Sequence, residues 1–336
     1  MNQQNNLVKP FIKWVGGKGQ LLPQLEANLP PEVYQQEFVY VEPFVGGGAM
    51  LFFMLSHFPN IKRVVINDVN TTLTDTYQVL KCNVDELIAC LRKIENHYFS
   101  IPTESERKEY YLEMRRSFNY GLLDKIEKSA LFVFLNHTCF NGLYRENSRG
   151  LFNVPFGKYT NPTICNEPVL RADSELLNKF DIEILNKDYI FTGEIINTHE
   201  DFFFYFDPPY RPLSATSSFN SYVKEAFDDN CQRALAAFCK YLNRYKNVKW
   251  MLSNSDCSSV NPTDTFFEDL YEQFFIQRVE ASRMVNANAS KRGKLTELLI
   301  SNFNNKQTKN KINSDRLTIN KYESEDSLRH IHVAVV

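Results

Sequence analysis

Phe202-Phe203-Phe204-Tyr205-Phe206-Asp207-Pro208-Pro209-Tyr210 is the stretch whose reading decides the fold. Five aromatic residues without alternation predict a strand buried on both faces, since aromatics favour strands and neither face is left for water. The acid and the two prolines end it. Proline offers no amide donor and biases the residue before it away from helix, so the backbone stiffens where the strand stops. Asp207 and Tyr210 are therefore expected at the carboxyl end of a central strand, where open α/β sheets hold their ligands. A carboxylate, a rigid turn and an aromatic ring suit a flat, amine-bearing group.

Working upstream, Phe38-Val39-Tyr40-Val41 predicts another buried strand. It runs into Glu42-Pro43-Phe44-Val45-Gly46-Gly47-Gly48 and an apolar helix from Ala49 to Leu55. Val64-Val65-Ile66 predicts the next strand, which ends at Asn67-Asp68. Strand, glycine turn, helix and strand with a terminal acid outline a nucleotide-binding βαβ unit. Glycines let backbone approach a ligand closely, the helix behind them offers amide donors, and Asp68 is spaced to accept from ribose hydroxyls. The turn lacks the G-x-G-x-x-G pattern of a dinucleotide site. A tight strand-to-helix connection with no ligand is the plainer alternative.

Downstream, Ile182-Glu183-Ile184-Leu185 predicts a strand leading to Asp188 and Tyr189. A helix is expected around Asn230 to Leu242, then a strand Val248 to Leu252 that ends in Ser253-Asn254-Ser255-Asp256. Phe274 to Val279 and Leu295 to Ile300 predict a closing pair of strands around a basic loop, Arg283 to Lys294. Between about Asn70 and Lys158 the apolar residues recur at helical spacing instead (Leu87, Ile88, Leu91, Ile94), with further helices over Tyr110 to Phe118 and Lys125 to Leu135. That block reads as a helical insertion between the second and third strands.

Composition narrows the function. With 336 residues, 43% hydrophobic and 23% charged, the chain has a proper core and exceeds one typical domain. A net charge of -2 gives no global pull toward nucleic acid, so any such binding must come from a local patch. Seven scattered Cys without a C-x-x-C pair point to reduced thiols in a cytoplasm rather than to zinc, and no metal is expected. No apolar run reaches the roughly 18 residues of a membrane span. Gly16-Gly17-Lys18-Gly19 fails as a phosphate loop, because Ile12 and Gly19 stand where that pattern needs Gly and Ser or Thr. Trp14 and Lys18 either cap the following helix or face a ligand, Trp14 as an apolar wall and Lys18 as a carboxylate partner.

Asp207-Pro208-Pro209-Tyr210 carries the chemistry. The exocyclic amine of a purine is a poor nucleophile, its lone pair being delocalised into the ring. Accepting its two hydrogens at the Asp207 carboxylate and at a carbonyl of the proline turn favours a more tetrahedral nitrogen aimed at an electrophile. Tyr210 would stack on the base. No base within a duplex reaches such a pocket, so flipping is implied. The loop from Asn136 to Tyr159 joins His137, Arg145, Arg149 and Lys158 to Phe140, Tyr144, Phe152 and Tyr159. It is either a solvated loop or a reader of base edges, whereas Arg283, Lys291, Arg292 and Lys294 suit phosphates.

Taken in order, these motifs resemble the Dam-type DNA adenine-N6 methyltransferases. Lys13-Trp14-Val15-Gly16-Gly17-Lys18 is similar to that family's amino-terminal cofactor motif, Val41 to Gly48 to its glycine loop, and Asn67-Asp68 to its ribose-binding acid. Phe140 to Arg145 and Phe152 to Tyr159 resemble its recognition segments, Asp207 to Tyr210 its catalytic motif, and Lys291 to Leu299 its closing segment. The resemblance implies an α/β fold, a seven-stranded Rossmann-like methyltransferase sheet with an inserted, mainly helical target-recognition domain. The division expected is a discontinuous catalytic domain (1–69 and 166–303), a recognition domain (70–165) and a polar extension (304–336). It implies S-adenosyl-L-methionine as cofactor, with Trp14, Lys18, Glu42, Phe44, Gly46, Gly48, Asp68, Asp188, Tyr189 and Asp207 around it. Asp207, Pro208 and Tyr210 would be catalytic. Lys13, Leu143, Arg145, Pro155 and Tyr159 would contact bases, with Phe140 and Asn141 inserting into or lying against the duplex and Lys291 and Arg292 on phosphates. Double-stranded DNA, at GATC, is the expected substrate. A cognate restriction endonuclease is the protein partner such a system allows, and no obligate one is expected. Methylation of RNA or of a protein amide, and a repressor built on an inactive methyltransferase fold, are the competing readings.

Overall fold

A computed structural model describes residues 7–213, 227–281 and 295–304. Lys18–Gln20 form a single 3-10 turn. Two short helices, α1 (Leu22–Glu26) and α2 (Glu32–Gln35), then lead to strand β1 (Phe38–Glu42). Helix α3 (Ala49–His57) and strand β2 (Ile61–Asn67) complete the first βαβ unit. Four helices follow: α4 (Thr71–Cys82), α5 (Val84–Ser100), α6 (Glu104–Tyr120) and α7 (Lys125–Thr138). The chain returns through α8 (Glu167–Asn178) to β3 (Ile182–Leu185), a 3-10 turn (Tyr189–Ile195) and β4 (Phe202–Phe206). Helix α9 (Asp229–Leu242), β5 (Val248–Ser255), β6 (Phe275–Ala281) and β7 (Leu295–Ser301) follow.

The strands form one seven-stranded sheet in the order β3-β2-β1-β4-β5-β7-β6. The first five are parallel, and β7 runs antiparallel between β5 and β6. Chain order reverses between β1 and β4, which opens a crevice at their carboxyl ends, the ligand position in sheets of this kind. The aromatic strand lies centrally, Val41 opposite Phe204 on one side and Phe204 opposite Trp250 on the other. Its residues feed two cores alternately: Phe203 and Tyr205 on one face of the sheet, Phe202, Phe204 and Phe206 on the other. Each such burial stabilises by about 1.5–3 kcal/mol. The one polar side-chain atom of the strand, the Tyr205 hydroxyl, pairs with Ser253 Oγ at 2.9 Å.

The inserted helices are organised around α7, which packs against α4, α5 and α6 and is buried almost all round. Capping boxes start α6 (Thr103 with Glu106) and α7 (Asp124 with Glu127). Helix α4 contacts both α7 and the pair α8 and β3, so one apolar core runs from Tyr40 and Ile66 of the sheet into Phe132 and Phe134 of the insertion. Two helices of this region, α4 and α8, were not expected from the sequence. The start of each carries a legible signal. The Asn70 side chain accepts from Leu73 N, and Pro168 stands in the first turn of α8. Strand β5 also runs three residues beyond its apolar stretch, because Ser253, Asn254 and Ser255 pair with β7.

Candidate active site

The glycine turn after β1 is shaped by what packs on it. Gly48 has φ +75°, and a Cβ there would lie 2.4 Å from the Tyr77 hydroxyl. That hydroxyl donates to the Gly46 carbonyl at 3.1 Å, fixing the turn from beneath. A Cβ on Gly46 would meet the Trp14 indole at 2.8 Å, so Trp14 lies directly over the glycines. The indole stacks on Tyr144 (5.7 Å between centroids, 23°) and meets Phe132 edge-on. Trp14 is thus a wall shared by the glycine turn and the helical insertion.

Asp68 follows β2 beside this turn. One carboxylate oxygen accepts from Gly46 N (3.2 Å) and the other from Asn70 N (2.9 Å), leaving lone pairs for a bound hydroxyl. Burial pushes its carboxyl up, and these backbone donors pull against it. Phe44 packs on Tyr189 at 5.1 Å, and Asp188 caps the turn after β3 by accepting from Ile190 N. Asn67 ties the two loops together, donating to the carbonyls of Pro43 and Lys187. Glu42 is buried at the end of β1, accepts from the Tyr40 hydroxyl at 2.7 Å, and is held well above the usual carboxylate range by burial.

At the end of β4, Asp207 Oδ1 takes the Lys18 ammonium at 2.9 Å. Lys18 is only 3% exposed; it also donates to the Gly16 carbonyl and lies 4.4 Å over the Tyr210 ring. Tyr210 donates to Glu297 of β7 at 2.7 Å. Burial pushes the Asp207 carboxyl up, the neighbouring Lys18 charge draws it back, and Glu297 adds to the rise. The Pro209 carbonyl accepts from the Gln232 amide at 3.0 Å, whereas the Pro208 carbonyl has no partner among the described residues. The Asp207 carboxylate and the Pro208 carbonyl are thus two successive acceptors at the end of β4, and Lys18 joins the first of them to the Tyr210 ring. Lys18, by sequence either a helix cap or a carboxylate partner, lies inside this cluster as the partner of Asp207.

Of the recognition candidates, Phe140, Asn141, Leu143, Arg145 and Pro155 lie on one irregular hairpin, joined by the bridges Cys139–Phe156 and Glu146–Phe152. Phe140 is half exposed in the 3-10 turn Phe140–Gly142 at the base of this hairpin, and Asn141 there adopts φ 54°, a left-handed conformation that asparagine tolerates. Lys13 lies 4.4 Å over the Tyr159 ring, and its backbone is clasped by the Asn136 amide at N–H and C=O, 2.8 Å each. Arg145 donates to the Asn153 side chain at 2.7 Å. Pro155 is exposed, with its carbonyl accepting from Phe140 N, and Leu143 is partly buried nearby. Arg283, Lys291, Arg292 and Lys294 lie outside the described residues, as does nearly all of the polar extension. Gln232, Asn254, Arg211, Glu297, Tyr77 and Asn136 were not singled out by sequence. Each is a polar residue whose partner is remote in the chain, and no local pattern marks it.

A family model described as D12 class N6 adenine-specific DNA methyltransferase matches residues 14–285. The chain is 45% identical over 300 residues to the type II methyltransferase M.MjaIII of Methanocaldococcus jannaschii, spanning 88% of this chain and 99% of that protein. It is 41% identical over 307 residues to the type II methyltransferase M1.LlaDCHI of Lactococcus lactis subsp. cremoris, spanning 90% and 99%. The DNA adenine methylase of Escherichia coli (strain K12) is 30% identical over 291 residues, spanning 87% and 94%.

Proposed function

Because the chain belongs to the D12 class of N6 adenine-specific DNA methyltransferases, we propose that it methylates adenine in duplex GATC, with Asp207, Pro208 and Tyr210 holding the flipped base. The observation that carries this is the acceptor pair beside the Tyr210 ring. Asp207 accepts one N6 hydrogen and the Pro208 carbonyl the other, while Tyr210 stacks on the purine. The nitrogen lone pair is turned out of the ring plane, which is catalysis by positioning and charge stabilisation.

S-adenosyl-L-methionine supplies an electrophilic methyl group when bound. The glycine turn suits it: Trp14 walls the space over Gly46, and Asp68 keeps lone pairs for ribose hydroxyls. Phe44, Asp188 and Tyr189 border the same crevice, and Gly48 sets its backbone. Glu42 supports the turn from within, its carboxyl committed to Tyr40. Lys18 neutralises Asp207 in the free chain and is drawn off it as the base and cofactor settle.

On the hairpin, Arg145 reads a guanine edge once Asn153 releases it, and Leu143, Pro155, Lys13 and Tyr159 complete the base contacts. Phe140 and Asn141 fill the gap left by the flipped base, and Lys291 and Arg292 take phosphates. The catalytic domain comprises 1–69 and 166–303, with 70–165 as the recognition domain. No helix among the described residues is long and apolar enough to cross a membrane. The chain works in the cytoplasm, with a cognate restriction endonuclease as the partner in the same system; two of its relatives carry the name type II methyltransferase. Incubation of GATC duplexes with enzyme and methyl-labelled cofactor, followed by digestion to nucleosides, tests the reading. Label in N6-methyladenine, lost with Asp207→Ala, is expected; label spread over non-GATC duplexes would overturn the site assignment.

A further inference from the structure

The catalytic turn does not hold itself in place. Two side-chain amides, both fully buried, close a ring around its back. Arg211 N–H donates to Asn254 Oδ1 at 3.3 Å, and Asn254 Nδ2 donates to Gln232 Oε1 at 3.0 Å. Gln232 Nε2 then donates to the Pro209 carbonyl at 3.0 Å. The ring joins three elements: the turn itself, helix α9 through Gln232, and strand β5 through Asn254. It has one direction, every amide donating toward Pro209, and Ser255 fixes that direction by donating its N–H to Asn254 Oδ1 at 2.9 Å. Ser255 Oγ also donates to the Arg211 carbonyl at 2.6 Å. Beyond the ring, the Arg211 guanidinium spans Asp229 (2.7 Å) and Asp264 (2.6 Å) and lies 4.5 Å over the Phe266 ring.

We propose that Gln232 and Asn254 are positioning residues for methyl transfer, occupying the Pro209 carbonyl so that the Pro208 carbonyl alone faces the base. Neither reaches the crevice. They act through the orientation of two successive peptide groups: the Pro209 ring fixes φ between them, and the hydrogen bond to the Pro209 carbonyl fixes the remaining rotation, ψ. The inference rests on the functional reading above and deepens it. Because each amide is paired, removing one strands its buried partners, so a substitution there is felt at the turn.

The test uses two substitutions at one position. Gln232→Met fills a similar volume and donates nothing. Gln232→Glu donates to Pro209 only while protonated, and burial raises the pKa of such a carboxyl, in documented cases to about 8–9. With GATC duplex and cofactor both saturating, Gln232→Met is expected to lower kcat about 10- to 100-fold, as a misplaced acceptor does. Its cofactor Kd should be unmoved. Gln232→Glu should track the unsubstituted enzyme at the acid end of the assay range and fall toward the Met level as pH rises. Either a Met variant within twofold in kcat, or a Glu:Gln activity ratio flat with pH, would overturn the assignment. If the Met variant fails to fold, the pH course of the Glu variant decides alone. Absence of adenine methylation by the unsubstituted chain would instead overturn the functional reading.

Discussion

An alanine at Gly48 is expected to cost about 2–5 kcal/mol of folding stability. The left-handed backbone there (φ +75°) accounts for about 1–2 kcal/mol in any residue bearing a Cβ. The remainder comes from Tyr77, whose hydroxyl would lie 2.4 Å from the new methyl group and must withdraw. Tyr77 is fully buried, so withdrawal strands its hydroxyl and the Gly46 carbonyl it serves, about 1–3 kcal/mol more. Urea unfolding reads this as a lower midpoint at unchanged slope. The Gly48→Ala, Tyr77→Phe double variant carries a sharper expectation. With the hydroxyl gone, the obstacle is gone and the hydrogen bond is lost once instead of twice, so the pair should couple by about 1–3 kcal/mol. Cofactor affinity should fall in Gly48→Ala, because Gly46 N also holds Asp68. Additivity in the cycle, or a Gly48→Ala chain within about 0.5 kcal/mol of the parent, would refute the account.

Arg145→Ala should relax discrimination at one base of the site by about 1–3 kcal/mol, measured as kcat/KM over single-substitution duplexes; equal weakening on every duplex would contradict it. Since burial lifts the Asp207 carboxyl and the acceptor role needs its ionised form, activity should fail on acidification above the ordinary carboxylate range. Lys18→Met removes the opposing charge and should move that acidic limb to still higher pH in kcat/KM profiles. Asp173 is fully buried with one carboxylate oxygen unpaired, and burial lifts its carboxyl to about 8. The native state then binds more protons than the unfolded one between the ordinary value and about 8, so stability should fall as pH rises through that window. Asp173→Asn should flatten this slope in urea titrations at several pH values.

What the sequence disclosed follows from burial. Strands β1 and β4 are short apolar runs between turns, and each was legible within a residue or so because a central parallel strand leaves no wet face, whereas β3 lies at the sheet edge and shows as the alternation Ile182-Glu183-Ile184. The end of β5 was not, because Ser253, Asn254 and Ser255 look like a loop. Their polarity is spent inside, on Tyr205, Gln232 and the Arg211 backbone. Helix α4 escaped for a related reason: its buried face includes Thr74 and Thr76, whose hydroxyls bond back to the helix carbonyls and blur the apolar period. In the site, residues within one motif were readable, such as Asp207 with Tyr210. The partners that fix them, Glu297 and Gln232, are brought in by β7 and α9 and have no spacing to betray them.

The aromatic strand has a cost that the finished fold conceals. Phe202 to Phe204 pair with Val39 to Val41, roughly 160 residues earlier in the chain, and the other flank waits for β5. As the chain emerges during synthesis, FFFYF is complete before β5 exists, with the whole insertion between it and β1. Such a segment is apolar, uncharged within itself and strongly strand-forming, which makes it an aggregation hazard until both neighbours arrive. Asp207 and the two prolines that follow it stand at its end as a charge and a break in pairing, the composition that keeps like segments from stacking on one another. The motif proposed to hold the substrate would thereby also guard the nascent chain, and soluble yield should respond to changes there even when activity is not the quantity measured.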